Sequence, residues 1–148
     1  MTLPSHELEL RWTPDETFLA PIGRGLRAFN DAADGPARRR WFALRAEGPH
    51  GAVTGGLCGW IMGGWLHVDW LWVAPGARGS DLGTRLLHSA ESLARAEGMR
   101  YSKLETASWQ ALPFYRKQGY EVFAELPLDT PDSPGQWRHR EYLLKKTL

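Results

Sequence analysis

The chain has 148 residues, a formal net charge of +1, and apolar and charged fractions of 43% and 24%. That length suffices for one domain with a sizeable core, while a charge so close to zero argues against a nucleic-acid-binding protein, which usually carries a basic footprint. The single cysteine, Cys58, excludes an intrachain disulfide and suits a reducing cytoplasm.

The N-terminal part predicts a strand followed by a helix. Its first residues lack a basic segment followed by an apolar one, so we expect no signal peptide. Partial alternation of apolar residues over Leu8–Thr13 predicts a short strand. Thr13 as N-cap, Pro14 as first helical residue and Glu16 as capping-box partner then predict a helix start. The proline and glycines in the letters APIGRG should kink or divide that helix.

Three further strands are predicted from the letters RRWFALRAEG, VTGGLCGWIM and WLHVDWLWV. Gly63-Gly64 joins the last two and is typical of a two-residue primed turn. Residues 48–68 have no charged side chain, but their seven glycines favour a hairpin over a membrane span. In this register Trp60 faces His67 and Cys58 faces Asp69. Alternation then predicts His67, Asp69, Leu71 and Val73 on one face, and Val68, Trp70 and Trp72 on the other, where the two tryptophans join the core.

A Gly-rich turn, APGARGSDLG, then opens a helix with an apolar side. The apolar residues are Leu82, Leu86, Leu87, Ala90, Leu93 and Ala94. Glu91 and Arg95 form an i,i+4 pair on another side, and Gly98 ends the helix. The remaining letters predict a strand (YSKLET), a short helix (SWQALPFYRKQG), a strand (YEVFAEL), a Pro-rich loop (PLDTPDSPGQ) and a last strand (WRHREYLLKK). The order β α β β β α β α β β predicts a single mixed α/β domain over residues 1–148.

Two motifs carry a resemblance to a known family. The letters RGSDLG (residues 78–83) open a helix directly after a strand, a setting in which backbone N–H groups bind phosphate. The letters SWQALPFYRKQGY follow after one helix and one strand. Together they resemble the pyrophosphate loop R/Q-x-x-G-x-G/A and the helix–strand segment of the GNAT superfamily of acyl-CoA-dependent N-acetyltransferases. The resemblance covers the whole element order and implies a mostly antiparallel mixed sheet, flanked by helices, that splays into a V between its central parallel strands.

The resemblance also implies an acetyl-CoA site in the V-shaped opening. The backbone of Leu71 to Val73 would pair with the pantetheine arm, and Arg78 would add a charge-assisted contact to the pyrophosphate. The implied cofactor residues are Leu71, Trp72, Val73, Arg78, Gly79, Ser80, Asp81, Leu82, Gly83, Thr84, Ser108 and Tyr115.

Two positions depart from the family pattern. Ser108 stands where many members carry Asn, keeps a hydroxyl donor, and can cap the short helix. Asp81 replaces the first loop glycine, and its carboxylate should repel the pyrophosphate unless it turns to solvent or pairs with Arg78 or Arg85. Either Ser80 or Asp81 can cap the longer helix while the loop still presents N–H groups to an anion.

Acyl transfer from a thioester to an amine requires a neutral amine, a stabilised oxyanion and a protonated leaving thiolate. The resemblance assigns Tyr115 as the general acid, and an unperturbed phenol with a pKa of about 10 is protonated near neutral pH. The base stays open between Asp69, His67, a chain of water molecules, and Glu105 on the neighbouring strand. The fold analogy implies an oxyanion contact from the backbone N–H near Val73.

Trp60, Trp65 and His67 are predicted to line the acceptor pocket, because aromatic faces bind flat or cationic groups. Trp41 and Trp137 are further candidates, and core packing is the alternative for each tryptophan. No residue pattern predicts a metal site.

The resemblance implies acetyl transfer from acetyl-CoA to a primary amine of a small molecule or peptide. Direct attack in a ternary complex is expected, since no cysteine or serine is placed for a covalent intermediate. Two alternatives stay open: a non-catalytic CoA-binding or regulatory module, which Asp81 favours, and a transferase using a longer acyl-CoA. We expect no nucleic-acid or membrane partner and a cytoplasmic location, with a homodimer, as in many members, as one option.

Overall fold

A computed structural model describes residues 6–36, 38–132 and 134–148. Residues up to 37 and residues from 38 onward form two compact units. The first contains helix α1 (Glu16–Asp34). The helix begins where the Asp15 carboxylate accepts a hydrogen bond from the Phe18 N–H at 2.9 Å, so the cap is Asp15 and the prediction of Thr13 was wrong.

Helix α1 runs unbroken through Pro21 and both glycines that follow it, so the predicted division of this helix was wrong. The predicted strand over Leu8–Thr13 was also wrong, because these described residues form no strand and are all exposed. A short alternating segment gains strand structure only from a partner strand, and its alternation alone does not supply one.

The second unit contains a six-stranded mixed sheet with strand order β1-β2-β3-β4-β6-β5. Its elements are β1 (Arg40–Glu47), β2 (Val53–Met62), β3 (Trp65–Val73), α2 (Leu82–Ala96), β4 (Tyr101–Ala107), α3 (Leu112–Lys117), β5 (Glu121–Leu128) and β6 (His139–Thr147). Among the strand pairs of the described residues, β3–β4 alone is parallel. The predicted α/β fold with a mostly antiparallel sheet is confirmed.

The hairpin between β2 and β3 turns at Gly63 and Gly64, whose φ angles are +60° and +86°. Two consecutive positive φ values are the signature of a type I′ turn, as predicted. The predicted pairing of Trp60 with His67 is also confirmed. Cys58, however, pairs with Trp70 and leaves Asp69 unpaired in a β-bulge.

The bulge at Asp69 reverses the side of the sheet to which each following residue of β3 points. One extra residue shifts the alternation by one position, so residues beyond the bulge point to the opposite side from the one a regular strand predicts. Leu66 and Val68 pack into the core before the bulge, and Leu71 and Val73 pack against the same core after it. The predicted core position of Trp70 and Trp72 was therefore wrong, and their side chains are 72% and 49% exposed.

Gly59 lies on β2, opposite the bulge of β3. A Cβ atom at this position would lie 2.2 Å from the His67 carbonyl oxygen, so only glycine fits there. A glycine inside a strand is a known signal of a bulge or a close backbone approach. Gly59 is thus the residue from which the bulge could have been anticipated.

Strands β3 and β4 pair over only three positions, from Trp65 opposite Tyr101 to His67 opposite Lys103. Beyond these positions the two parallel strands have no ladder between them. This separation is the V-shaped opening that the resemblance implied, and it begins where the bulge turns β3.

Helix α2 packs on β2 and β3 through its apolar side. Four of the six predicted apolar positions are buried: Leu86, Leu87, Ala90 and Ala94. Glu91 is buried as well, with 2% of its surface exposed, so its predicted exposed pairing with Arg95 was wrong.

The Glu91 carboxylate lies in a network of buried polar side chains. It accepts hydrogen bonds from the Lys146 ammonium at 2.9 Å and from the Tyr120 hydroxyl at 3.1 Å. The Tyr120 hydroxyl also lies 2.8 Å from Ser102 Oγ. Buried charge is tolerated when it is paired and hydrogen-bonded in this way, which explains how a carboxylate occupies the core side of α2.

The described residues contain neither a membrane-spanning helix nor a metal-binding cluster. No helix in the described ranges is long and apolar enough to cross a membrane. No group of three or more histidine, cysteine, aspartate or glutamate side chains is placed there to hold a metal ion.

Candidate active site

The opening between β3 and β4 contains a cavity of about 860 Å³, a volume within the range of small-molecule sites. The cavity is lined by Asp69–Val73 of β3, Glu105 and Thr106 of β4, Arg78–Ser80, Gly83 and Thr84 at the start of α2, and Trp109–Ala111, Phe114 and Tyr115 around α3. Eleven of its lining residues had been predicted as site residues, and they come from β3, the start of α2 with the loop before it, β4 and α3.

The loop before α2 is shaped by its own side chains. Ser80 Oγ donates a hydrogen bond to the Ala77 carbonyl at 2.6 Å and accepts one from the Leu82 N–H at 3.3 Å. Gly79 has a φ of +77°, a conformation that favours glycine. Arg78 Nε donates to the Val73 carbonyl at 3.1 Å, which fixes the loop to the end of β3. The start of α2 therefore faces the cavity with the positive end of its helix dipole.

Asp81 turns away from this cavity. Its φ and ψ of −81° and 5° are ordinary for any residue, and its side chain does not cap the helix. Its carboxylate lies 3.9 Å from the Arg85 guanidinium, and it lines a separate cavity. Two of the options predicted for Asp81 are therefore observed, because its side chain is 75% exposed to solvent and lies beside Arg85. Ser80 provides the capping bond.

Tyr115 lies at the inner wall of the cavity with 7% of its surface exposed. Burial raises the pKa of its phenol, so the hydroxyl keeps its proton at neutral pH. Its ring packs edge-on against Phe114 and Tyr120, at centroid distances of 5.2 and 6.0 Å. The hydroxyl makes no hydrogen bond with any described residue, and it is therefore available to a ligand.

Of the three side chains predicted as candidate bases, two line the cavity and one does not. Asp69 at the bulge and Glu105 on β4 both line the cavity. His67 does not line it and instead stacks on Trp60 at a centroid distance of 4.5 Å. Burial, reinforced by the charge of Lys103, lowers the pKa of His67, and its buried Nδ1 has no hydrogen-bond partner among the described residues.

The tryptophans predicted to line the acceptor pocket do not line this cavity. Trp60 packs between His67 and the Arg39 guanidinium, which is 4.4 Å from the indole. Trp65 stacks on Tyr101 at 4.9 Å, at the hairpin end of β3. Neither these two nor Trp41 and Trp137 line the cavity, which is lined instead by Trp70, Trp72 and Trp109. The bulge is the reason, because it turns Trp70 and Trp72 out of the core.

Ser108 lies beside the cavity but does not line it. Its Oγ is 3.1 Å from His139 Nδ1 and accepts a hydrogen bond from the Arg140 N–H at 3.3 Å. These bonds attach the β4–α3 connection to β6. The predicted cap of α3 by Ser108 was wrong, because the cap position is Ala111.

Comparisons with known proteins agree with this architecture. The family model described as the acetyltransferase (GNAT) domain matches residues 37–122. The chain is 46% identical over 99 residues to blasticidin-S acetyltransferase of Streptomyces morookaense, covering 66% of this chain and 71% of that protein. It is 33% identical over 109 residues to acetyltransferase Atu2258 of Agrobacterium fabrum, covering 73% and 80%.

A solved structure matches the fold closely. The crystal structure described as an acetyltransferase from Agrobacterium tumefaciens superposes with a TM-score of 0.85 at 26% identity, covering 97% of this chain and all of that one. The chain therefore belongs to the GNAT family and is an acyl-CoA-dependent N-acetyltransferase.

Proposed function

We propose that this enzyme transfers the acetyl group of acetyl-CoA to a primary amine of a small molecule, by direct attack in a ternary complex. The observation that carries the proposal is one cavity that joins the start of α2 to Tyr115 and to the carboxylates of Asp69 and Glu105. An anion-binding helix end, a protonated acid and two proton acceptors are the groups that acetyl transfer from a thioester requires.

The cofactor end of the cavity fits a pyrophosphate and an amide-containing arm. Gly79 and the first turn of α2 offer backbone N–H groups, and Arg78 adds a positive charge beside them. Leu71 to Val73 pair with β2 on one side only. On the other edge the Val73 carbonyl is bound by Arg78, and the remaining backbone groups can hydrogen-bond an extended pantetheine chain. We assign the pyrophosphate to residues 78–84 and retain Ser108 as a predicted contact.

The chemistry then follows from the groups in the cavity. The neutral amine nitrogen forms a bond to the acetyl carbon, and the bond from that carbon to sulfur breaks. Asp69, Glu105 or a bound water accepts the proton that the amine loses, and Tyr115 donates its proton to the leaving thiolate. We place His67 outside this exchange, because it stacks on Trp60 and does not reach the cavity lining.

The choice of a small-molecule acceptor is supported by a relative. The protein from Streptomyces morookaense is named for blasticidin S, which makes that compound a natural first acceptor to test. A cytoplasmic location and a homodimer remain predictions.

The test measures binding and turnover separately. Acetyl-CoA should raise the melting temperature, because a ligand that binds only the folded state stabilises it, and CoA should be released in the presence of blasticidin S or another amine of a panel. Stabilisation without turnover on any amine would favour a non-catalytic binding module. Turnover that is faster with longer acyl-CoA thioesters would correct the acyl group, and no stabilisation at millimolar acetyl-CoA would overturn the proposal.

A further inference from the structure

Two exposed indoles stand side by side in the cavity wall. Trp70 and Trp72 follow the bulge on β3 with one residue between them, so they share a face of the strand. Large aromatic side chains are normally buried, and two neighbouring exposed ones in a cavity are typical of a binding surface. Neither indole makes an aromatic or cation–π contact with a described residue, and their exposed surfaces, 72% and 49% of each side chain, are available to a ligand.

The exposed indoles suit a flat ring. A planar group can stack on an indole face with carbon surfaces in contact at about 3.5 Å. A saturated ring gains the apolar contact but not the additional energy of an aromatic pair.

The charges in the cavity separate into two ends. Arg78 and the start of α2 make the end near Val73 positive. Asp69 and Glu105 lie on the other side of the tryptophans, and neither carboxylate makes a hydrogen bond or salt bridge with a described residue. An anionic cofactor at one end leaves the acidic end for a cation.

Trp109 forms a further wall of the cavity and is held in place. Its ring meets the His139 imidazole edge-on at 5.0 Å and 90°. The same imidazole is attached to Ser108 Oγ, so the Trp109 ring is oriented by β6. A fixed ring of this kind adds aromatic surface to the acceptor site at low entropic cost.

We infer that the acceptor is an amine, cationic before it reacts, attached to a planar ring, and that Trp70 and Trp72 select it by stacking on that ring. The inference rests on the proposed function and specifies its substrate class. The amine lies toward Asp69 and Glu105, and the ring lies against the indoles.

The test compares two primary amines that differ only in the ring. Dissociation constants of 2-phenylethylamine and 2-cyclohexylethylamine are measured by calorimetry on the enzyme saturated with CoA, which requires no turnover. We expect the planar amine to bind tighter by on the order of 2- to 10-fold, the range of an aromatic pair. In Trp70→Ala and in Trp72→Ala this ratio should fall toward one.

Trp41→Ala is the matched control, because Trp41 is 61% exposed but lies outside the cavity, and it should keep the wild-type ratio. Equal binding of both amines to the wild type, or a ratio that survives in both cavity variants, would overturn the inference. The proposed function fails on a different readout, the absence of CoA release and of stabilisation by acetyl-CoA.

Discussion

Tyr115 and Tyr120 belong to the same motif, and both rings are almost fully buried, with 7% and 2% of their surfaces exposed. Their hydroxyl groups differ. Tyr120 donates to Glu91 and also pairs with Ser102, whereas the Tyr115 hydroxyl makes no hydrogen bond with a described residue and faces the cavity. Although its ring is buried, the Tyr115 hydroxyl is open to the cavity, where water or a ligand can complete its hydrogen bonding. The contrast separates a tyrosine that completes the core from one that is available to a substrate.

The largest expected effect on stability comes from the network around Tyr120. Lys146→Met removes the cation that pairs with Glu91, leaving a carboxylate that is 2% exposed without its counter-ion. Breaking a buried pair in this way costs about 3 kcal/mol, measured as the free energy of unfolding in urea. Lys145→Met, which changes the exposed neighbour on β6, is the control. Equal stability of the two variants would mean that the pair contributes nothing.

Tyr120→Phe should have a smaller effect in the same direction. It leaves the ring in place but removes one hydrogen-bond partner each from Glu91 and Ser102, which costs roughly 1–3 kcal/mol. Turnover per folded molecule should stay within about two-fold, as expected of a residue that does not touch the reacting atoms. A large loss of turnover at full occupancy of the folded state would place Tyr120 in the chemistry.

Glu91 and Lys146 also show what cannot be predicted from local sequence patterns. The glycine pair at the hairpin and the apolar spacing along α2 are local signals, and both elements formed as predicted. Glu91 looked like a surface residue because its partner, Lys146, lies on the last strand, and only the fold brings them together. Long-range pairing leaves no trace in local periodicity.

The faces of β3 were predicted less well than the loop before α2 for a related reason. That loop is a continuous motif, so its place at the start of the helix could be predicted from residues 78–84 alone. The faces of β3 depend on a single bulge, and one extra residue reverses every assignment beyond it. Gly59 on β2 indicates that a bulge is present. It does not indicate which residue of the neighbouring strand β3 is left unpaired.

The pH dependence of stability extends the comparison to His67, whose buried Nδ1 also has no hydrogen-bond partner in the part of the chain that the structure describes. Its pKa is lowered in the folded state, so the unfolded chain takes up a proton first as the pH falls. Its contribution to stability is complete above the unfolded pKa of about 6.5 and is lost as the pH drops below that value. In His67→Phe the free energy of unfolding should therefore fall less between pH 7 and pH 5.

The control for this measurement is His88→Phe, which removes an exposed histidine of α2. If the His67 variant keeps the whole acid-side slope of the wild type, another group is responsible for it.

The smallest effect is expected at Asp81, in the loop before α2. Asp81→Gly or Asp81→Asn removes a negative charge near the pyrophosphate position, which should tighten acetyl-CoA binding on the order of two-fold at low salt and less at high salt. The effect is small because the carboxylate already faces Arg85 and a separate cavity. Of the two variants, Asn isolates the charge because it keeps the backbone restrained. Weaker binding in both would reveal a structural role of Asp81.

The most direct test of the central claim is the turnover of Tyr115→Phe beside that of Tyr120→Phe, measured as CoA release on the same amine. If Tyr115 donates the proton to the leaving thiolate, its variant should lose on the order of 10²- to 10⁴-fold in turnover while its dissociation constant for acetyl-CoA stays close to that of the wild type. Tyr120→Phe should be less stable but nearly as active when folded. An unchanged rate in Tyr115→Phe would contradict the account.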